Sequence, residues 1–367
     1  MPQAKSYDLR AVVSGFQLNG SYLDSRATGD GHINDTYKVT MRDDDTVSPY
    51  IVQRINHHVF TKPWEVMDNI IRVTDHIAGK IGAVSDADRR GTLRFVPAKD
   101  GKYYLQDADG NYWRCYHYVD HARSYQLLEN DRMFYHVGEA FGSFQRYLAD
   151  YPAHTLHETI PMFHHTLNRL KNFKEAAAND ICGRAAGVQP EIEALLSRAH
   201  IAGLLLNGLE SGRLPLRVTH NDTKVNNVLL DDETMKGVCV IDLDTVMPGL
   251  AAYDFGDAIR VGASTAQEDE RDVSKVGFDL SRYEAFAKGF IDGTGGLLTK
   301  AEIESLPTGA IMMTYENGLR FLTDYLNGDT YFKIAYPDHN LVRCRTQIRM
   351  VECMEQQMDR MTELVMR

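Results

Sequence analysis

The sequence predicts an α+β protein in two parts, a strand-rich N-terminal third followed by a mostly helical remainder. Three observations predict it. Apolar residues alternate with period two through residues 21–28 and 33–41, on either side of Gly29-Asp30-Gly31, as in a half-buried hairpin. Beyond Asp120 the apolar period lengthens to that of helices. The chain has 367 residues, more than one hydrophobic core usually organises.

The elements follow in order. Residues 49–55 read as a third strand. Residues 64–78 read as a helix, with Val66, Met67, Ile70, Ile71 and Ile77 apolar and Pro63 near its start. Further strands are expected at residues 93–96, 103–106 and 112–119. Residues 131–148 form a helix with Phe134, Val137, Phe141, Phe144 and Leu148 on one stripe, and residues 191–209 another. A strand-rich island spans residues 217–244, and the later helices are expected at 283–291, 310–326 and 339–365. The expected domains are residues 1–116 and 117–367, with a ligand cleft where the two meet.

Composition excludes several classes. Hydrophobic residues at 43% and charged residues at 25% are globular values. A net charge of -11 leaves no basic footprint for nucleic acid. Five scattered cysteines without a C-x-x-C pair argue against a disulfide framework or a zinc ribbon. The start MPQAKSYDLR has no apolar core of a signal peptide, and no run of about 20 apolar residues follows. A cytoplasmic protein without a membrane partner is expected.

The chemistry concentrates between Arg217 and Arg260. His220, Asp222 and Asn227 have the spacing H-x-D-x-x-x-x-N of a kinase catalytic loop. Phosphoryl transfer wants those types: a carboxylate to take the acceptor's hydroxyl proton, and an amide oxygen for Mg²⁺. Two apolar strands, residues 228–230 and 238–241, flank the polar turn 231–237. Pairing them brings Asn227, just before the first, to the same end as Asp242, just after the second. Carboxylate and amide oxygens suit a hard cation, and Asp244 points to the same side as Asp242. The literal string Asp254-Phe255-Gly256 comes too late for the metal aspartate, so Asp254 is expected to cap or orient the segment after it. His220 is expected to support the loop rather than move protons. No Walker A motif is present, and no further ligands at metal spacing accompany His220.

At His220–Asn227 (H-N-D-T-K-V-N-N) and Ile241–Thr245 (I-D-L-D-T) the chain resembles the aminoglycoside phosphotransferase and choline kinase superfamily. That implies a two-lobed, protein-kinase-like fold, an antiparallel-sheet lobe followed by a helical lobe carrying the catalytic hairpin. Within the superfamily the chain is similar to the N-acetylhexosamine 1-kinases. The carriers are G-D-G-H-I-N-D-T-Y from Gly29, Y-D-F-G-D-A-I-R-V-G-A-S-T-A, G-L-R-F-L-T-D-Y-L-N-G-D-T-Y-F and Y-P-D-H-N-L-V-R-C-R-T-Q-I.

The resemblance implies ATP and Mg²⁺ as cofactors and an N-acetylhexosamine, phosphorylated at C1, as the small-molecule partner. Asp222 is then the base; Asn227, Asp242 and Asp244 are the metal residues. His32, Arg320 and Tyr331 meet the sugar. Gly29, Gly31, Gln53, Tyr116, Tyr118 and Val119 meet the nucleotide, the last three in a hinge at residues 116–119. Gln53 stands where the third strand of a kinase carries its lysine, with Arg54 beside it on the opposite face. An aminoglycoside or choline-like acceptor would keep the same catalytic residues. A non-catalytic nucleotide binder would be expected to lack Asp222, Asn227 or Asp242, and all are present.

Overall fold

The structure, a computed structural model, describes residues 7–28, 33–82 and 90–367. Gly29, Gly31 and His32 lie outside them. The chain divides into two compact units, Met1–Ala122 with Cys239–Val246, and Arg123–Val238 with Met247–Arg367.

The first unit is built on an antiparallel sheet. Its strands are β1 (Ser21–Ala27), β2 (Asp35–Asp43), β3 (Thr46–Ile55), β4 (Phe95–Val96), β5 (Leu105–Gln106) and β6 (Tyr112–His117). They run in the order β1-β2-β3-β6-β4, with β5 also on β6. Alternation puts Val39, Val52, Trp113 and Cys115 on one face, against Leu9, Val12 and Val13 of helix α1 (Leu9–Ser14). Helix α2 (Pro63–Ile81) follows β3, with Pro63 in its first turn, where a missing N–H costs nothing. It buries Val66, Met67, Ile70, Val73 and Ile77, and its Asn69 side chain donates to the Val246 carbonyl at 3.0 Å. That bond ties α2 to the turn Leu243–Thr245.

The second unit is helical: α3 (Asp131–Tyr147), α4 (Thr166–Asn179), α5 (Gln189–Leu196), α6 (Leu204–Glu210), α7 (Ala251–Gly262), α8 (Leu280–Thr294), α9 (Lys300–Leu326) and α10 (His339–Val365). Glycines set the closest approaches. A Cβ on Gly138 or Gly142 of α3 would lie 2.5 or 2.1 Å from α8 backbone, and one on Gly289 or Gly293 would lie 2.0 or 2.3 Å from α3 backbone. Gly256 of α7 and Gly309 of α9 approach in the same way, each 2.2 Å from a carbonyl oxygen of the other helix. Each of these helix pairs therefore packs backbone to backbone.

Short strands frame the loop. β8 (Arg217–Thr219) pairs antiparallel with β11 (Met247–Gly249). β9 (Val228–Asp231) lies between β10 (Gly237–Val240) and β7 (Ala122–Arg123).

Two helices depart from expectation. Residues 191–209 are broken into α5, a 3-10 turn Ala199–Gly203, and α6. Ser197 and Arg198 both donate side-chain bonds at 3.0 Å to the Ala194 carbonyl, competing with the helical ladder. Helix α9 begins ten residues before residue 310, because Thr299 and Glu302 form a capping box ahead of Pro307. No helix among the described residues is long and apolar enough to cross a membrane.

Candidate active site

The loop that follows β8 is held from beneath by α7. Asp254, 1% exposed, accepts the His220 amide at 3.0 Å, the Asn221 amide at 2.8 Å and the Gln145 side chain at 2.7 Å. Its own carbonyl accepts the Thr223 hydroxyl. Burial pushes the Asp254 carboxyl above the usual aspartate value, against His220 and the donors that face it. The expectation that Asp254 serves the segment after it is corrected. Helix α7 is capped by Leu250 with no side-chain bond, and Asp254 reaches back to the loop before it. His220 is fully buried, edge-on to Phe141 and Phe144, and its Nδ1 accepts the Asp222 amide at 3.3 Å. It supports the loop, as the sequence suggested.

Asn221 adopts the left-handed conformation, φ 63°, which asparagine tolerates better than most residues. Asp222 follows. Its carboxylate meets Lys224 Nζ at 2.7 Å and the Asn227 side-chain amide at 3.2 Å, which also donates to the Asp222 carbonyl at 2.8 Å. Burial opposes ionisation of Asp222, but Lys224, with His220 and Arg260, outweighs it and holds the pKa below the ordinary value. The Lys224 side chain is 45% exposed, and its pKa is shifted up, desolvation being outweighed chiefly by Asp222. The two thus sit as an ion pair. With Nδ2 of Asn227 engaged, its Oδ1 accepts no hydrogen bond among the described residues. Lys224 and Arg260 border a cavity of about 610 Å³.

Arg320 and Tyr331 line a different cavity, of about 190 Å³. The Arg320 guanidinium lies 5.7, 5.9 and 5.4 Å from the rings of Phe163, Tyr331 and Phe332. Its hydrogen bond goes to Asn317 at 3.3 Å. Asp324, one turn along α9, does not pair with it. The Asp324 oxygens are filled by the amides of Thr330, Tyr331 and Phe332 and by Asn340, at 2.8–3.0 Å. Tyr331 is 68% exposed; its amide is held by Asp324 at 2.8 Å and its ring meets Phe332 edge-on.

In the first unit, Gln53 and Arg54 face opposite ways. Gln53 Oε1 accepts from Arg114 Nε at 2.8 Å and Nη2 at 2.6 Å, and its amide donates to Thr36 at 2.8 Å. Arg54 pairs with Asp35 at 2.6 Å. Asp244 is buried, bonded to Arg114 Nη1 through Oδ1 and to Asn34 through Oδ2 at 2.6 Å. Asp242 is left-handed, φ 60°, and begins the 3-10 turn. Tyr116 is half-buried against Phe95, and desolvation pushes its phenol pKa up. Tyr118 gives its amide to the Pro49 carbonyl at 3.3 Å and its ring to Lys38. The Val119 amide makes no backbone hydrogen bond among the described residues.

Residues 24–289 match the phosphotransferase enzyme family. The chain belongs to that family. Its fold is also that of solved phosphotransferases. An aminoglycoside phosphotransferase from Alicyclobacillus acidocaldarius superposes with a TM-score of 0.62 at 14% identity, over 99% of this chain and 98% of that one. A choline kinase from Cryptosporidium parvum gives 0.59 at 13%, over 96% of each chain. A spectinomycin phosphotransferase, solved with ADP and spectinomycin, gives 0.54 at 12%, over 96% of this chain and 99% of that one.

Two residues of this phosphotransferase escaped the sequence reading. Lys224 is two positions from Asp222, and a lysine inside the loop was its available signal. Arg114 is a lone charge in the apolar strand β6, and only its register opposite Gln53 reveals its partners.

Proposed function

We propose that this phosphotransferase moves the γ-phosphoryl group of ATP to the C1 hydroxyl of N-acetylglucosamine or N-acetylgalactosamine. Ionised Asp222, fixed by Lys224 and by the loop's bonds to Asp254, is the observation that carries the proposal. Asp222 orients the hydroxyl and takes its proton, and Lys224 offers positive charge beside it. Transfer then rests on positioning and charge more than on covalent chemistry.

The donor set fits magnesium. Asn227 presents an amide oxygen that accepts no other bond, and Asp242 adds a carboxylate, so both donors are hard oxygens. No group of three or more His, Cys, Asp or Glu with metal-holding geometry occurs among the described residues. A cation held by few protein ligands and completed by phosphates matches magnesium's habit. Bound there, magnesium neutralises charge on the β- and γ-phosphates. Asp244, with both oxygens taken by Arg114 and Asn34, anchors the turn that carries Asp242. In this reading Tyr116, Tyr118 and Val119, whose amide makes no backbone hydrogen bond among the described residues, meet the adenine, and Gly29, Gly31 and Gln53 serve the phosphates. Arg320, Tyr331 and His32 hold the sugar through directed hydrogen bonds.

The test is a panel of N-acetylglucosamine, N-acetylgalactosamine, kanamycin and choline with ATP and Mg²⁺, the product read by phosphorus NMR. The expected product is the sugar 1-phosphate. Phosphate at C6, or turnover of kanamycin or choline alone, overturns the acceptor assignment.

A further inference from the structure

Two arginines line the small cavity of the second unit. Arg169 from α4 and Arg320 from α9 both line it, with Asn172, Thr323, Tyr331 and Phe332 among the other walls. Neither guanidinium has a carboxylate partner among the described residues. Arg320 bonds Asn317 and otherwise lies over aromatic faces. Arg169 donates Nη2 to the Phe163 carbonyl at 2.8 Å, while its Nε is buried with no partner.

The nearby carboxylates are committed elsewhere. Asp324 lines the cavity, but each of its oxygens already accepts two hydrogen bonds. Glu316, fully buried, is bonded to His164 at 2.9 Å and to Thr166 at 2.6 Å. Burial, reinforced by the charge of Arg320, holds the Arg169 pKa below the usual arginine value. Two cations sharing a desolvated wall raise the free energy of the empty protein, and an anion between them relieves it. Planar guanidiniums with unused N–H groups fit carboxylate, phosphate and sulfate oxygens.

The cavity also lies next to the loop that carries Asp222. Phe163 gives its ring to Arg320 and its carbonyl to Arg169, and the following residue, His164, bonds the Asn221 carbonyl at 3.2 Å. A chain of contacts through Phe163 and His164 thus links the two arginines to the loop of the proposed base.

We propose that Arg169 and Arg320 form an anion subsite, so that the preferred acceptor is a sugar carrying an acidic group and ammonium-bearing acceptors are rejected. The proposal rests on the sugar-kinase function above and narrows its substrate class. Amino sugars and choline would put a cation against two guanidiniums, whereas an acidic sugar accepts from their unused N–H groups.

The experiment compares three ligands of one ring: glucosamine, N-acetylglucosamine and N-acetylglucosamine 6-sulfate. Binding is measured by calorimetry without ATP, and kcat/KM with ATP, for wild type, Arg169→Gln, Arg320→Gln and Arg169→Lys. Wild type is expected to bind the sulfated sugar at least about tenfold more tightly than the neutral one, about 1.4 kcal/mol, and glucosamine most weakly. Either glutamine variant should erase the preference, and Arg169→Lys should retain part of it. Equal wild-type affinity for the sulfated and neutral sugars overturns the proposal, and that comparison needs no variant to fold. A preference that survives both glutamine changes also overturns it. If N-acetylglucosamine is phosphorylated but shows no charge preference, the subsite falls and the kinase function stands. If the arginine-dependent preference is measured but no sugar is phosphorylated, the subsite stands and the acceptor assignment falls.

Discussion

Replacing Asp254 with alanine tests what holds the catalytic loop. The carboxylate accepts two loop amides and the Gln145 side chain, all in the interior. Alanine strands these three donors, and each buried unsatisfied donor costs about 1–3 kcal/mol. Water entering the vacated space can answer one or two of them. The expected net loss is about 3–5 kcal/mol, and at roughly 2–4 °C per kcal/mol for a unit of this size the melting temperature falls by about 6–20 °C. Asp254→Asn should lose less, since a neutral amide oxygen can still accept and the buried charge is removed. That charge is itself costly: the folded pKa is raised, so its unfavourable contribution is absent below the unfolded value, grows as pH rises from there to the folded value, and is complete above it. The assay is thermal melting beside a magnesium titration of activity. Melting within about 2 °C of wild type, against the expected 6–20 °C, would refute the anchoring role, as would a magnesium dependence that shifts with Asp254 and not with Asp242.

Further outcomes are expected for four variants. Asp222→Asn should keep the melting temperature and lower turnover by roughly 10²–10⁴, the usual contribution of a general base. Because Lys224 holds the Asp222 pKa down, the acid limb of kcat/KM should lie below the ordinary aspartate value of about 3.9, and Lys224→Met should move it upward in a pH–rate profile. Asp242→Ala should abolish magnesium-supported activity while the protein still melts cooperatively; unchanged magnesium titration removes Asp242 from the site. Arg114→Met leaves Asp244 charged and buried, so stability should fall by about 3–5 kcal/mol, read by denaturant unfolding; a stable variant would mean that the pair holds nothing.

Local patterns were legible because the chain itself supplies the geometry. His220, Asp222 and Asn227 lie within one loop, and β9 and β10 are joined by a short turn. The alternation of β1 to β3 and the stripe of α3 were equally plain. What escaped depends on partners distant in sequence. Arg114 meets Asp244 across 130 positions, and no spacing rule anticipates that pair. Asp254 shows why a motif string misleads: its first-turn position suggests a cap, but its partners lie 33 and 34 residues earlier. An ion pair between Arg320 and Asp324, one turn apart on α9, would have the right helical spacing. It fails because the returning loop puts amide donors on Asp324 first.

The peptide units around Asn221 are gripped from both sides, which has a kinetic consequence. Asp254 takes the Asn221 N–H, and His164 Nε2 donates to the Asn221 carbonyl at 3.2 Å. His164 is in turn held by Glu316, whose carboxyl is kept below its usual pKa by that histidine, by Arg320 and by Thr166 despite burial. A left-handed residue held at both ends fixes where the next residue, Asp222, leaves the backbone. Glu316 and Arg320 sit one turn apart on α9, so one helix carries both the support of the proposed base and the proposed anchor of the acceptor. The two roles separate in kinetics. Glu316→Gln keeps the shape but weakens the grip on His164; a base displaced by about 1 Å can cost up to about 10²-fold, so kcat should fall with the acceptor KM near normal. Arg320→Gln should chiefly raise that KM. If Glu316→Gln instead raised KM and left kcat unchanged, the chain of contacts from α9 through His164 would not be what aims Asp222.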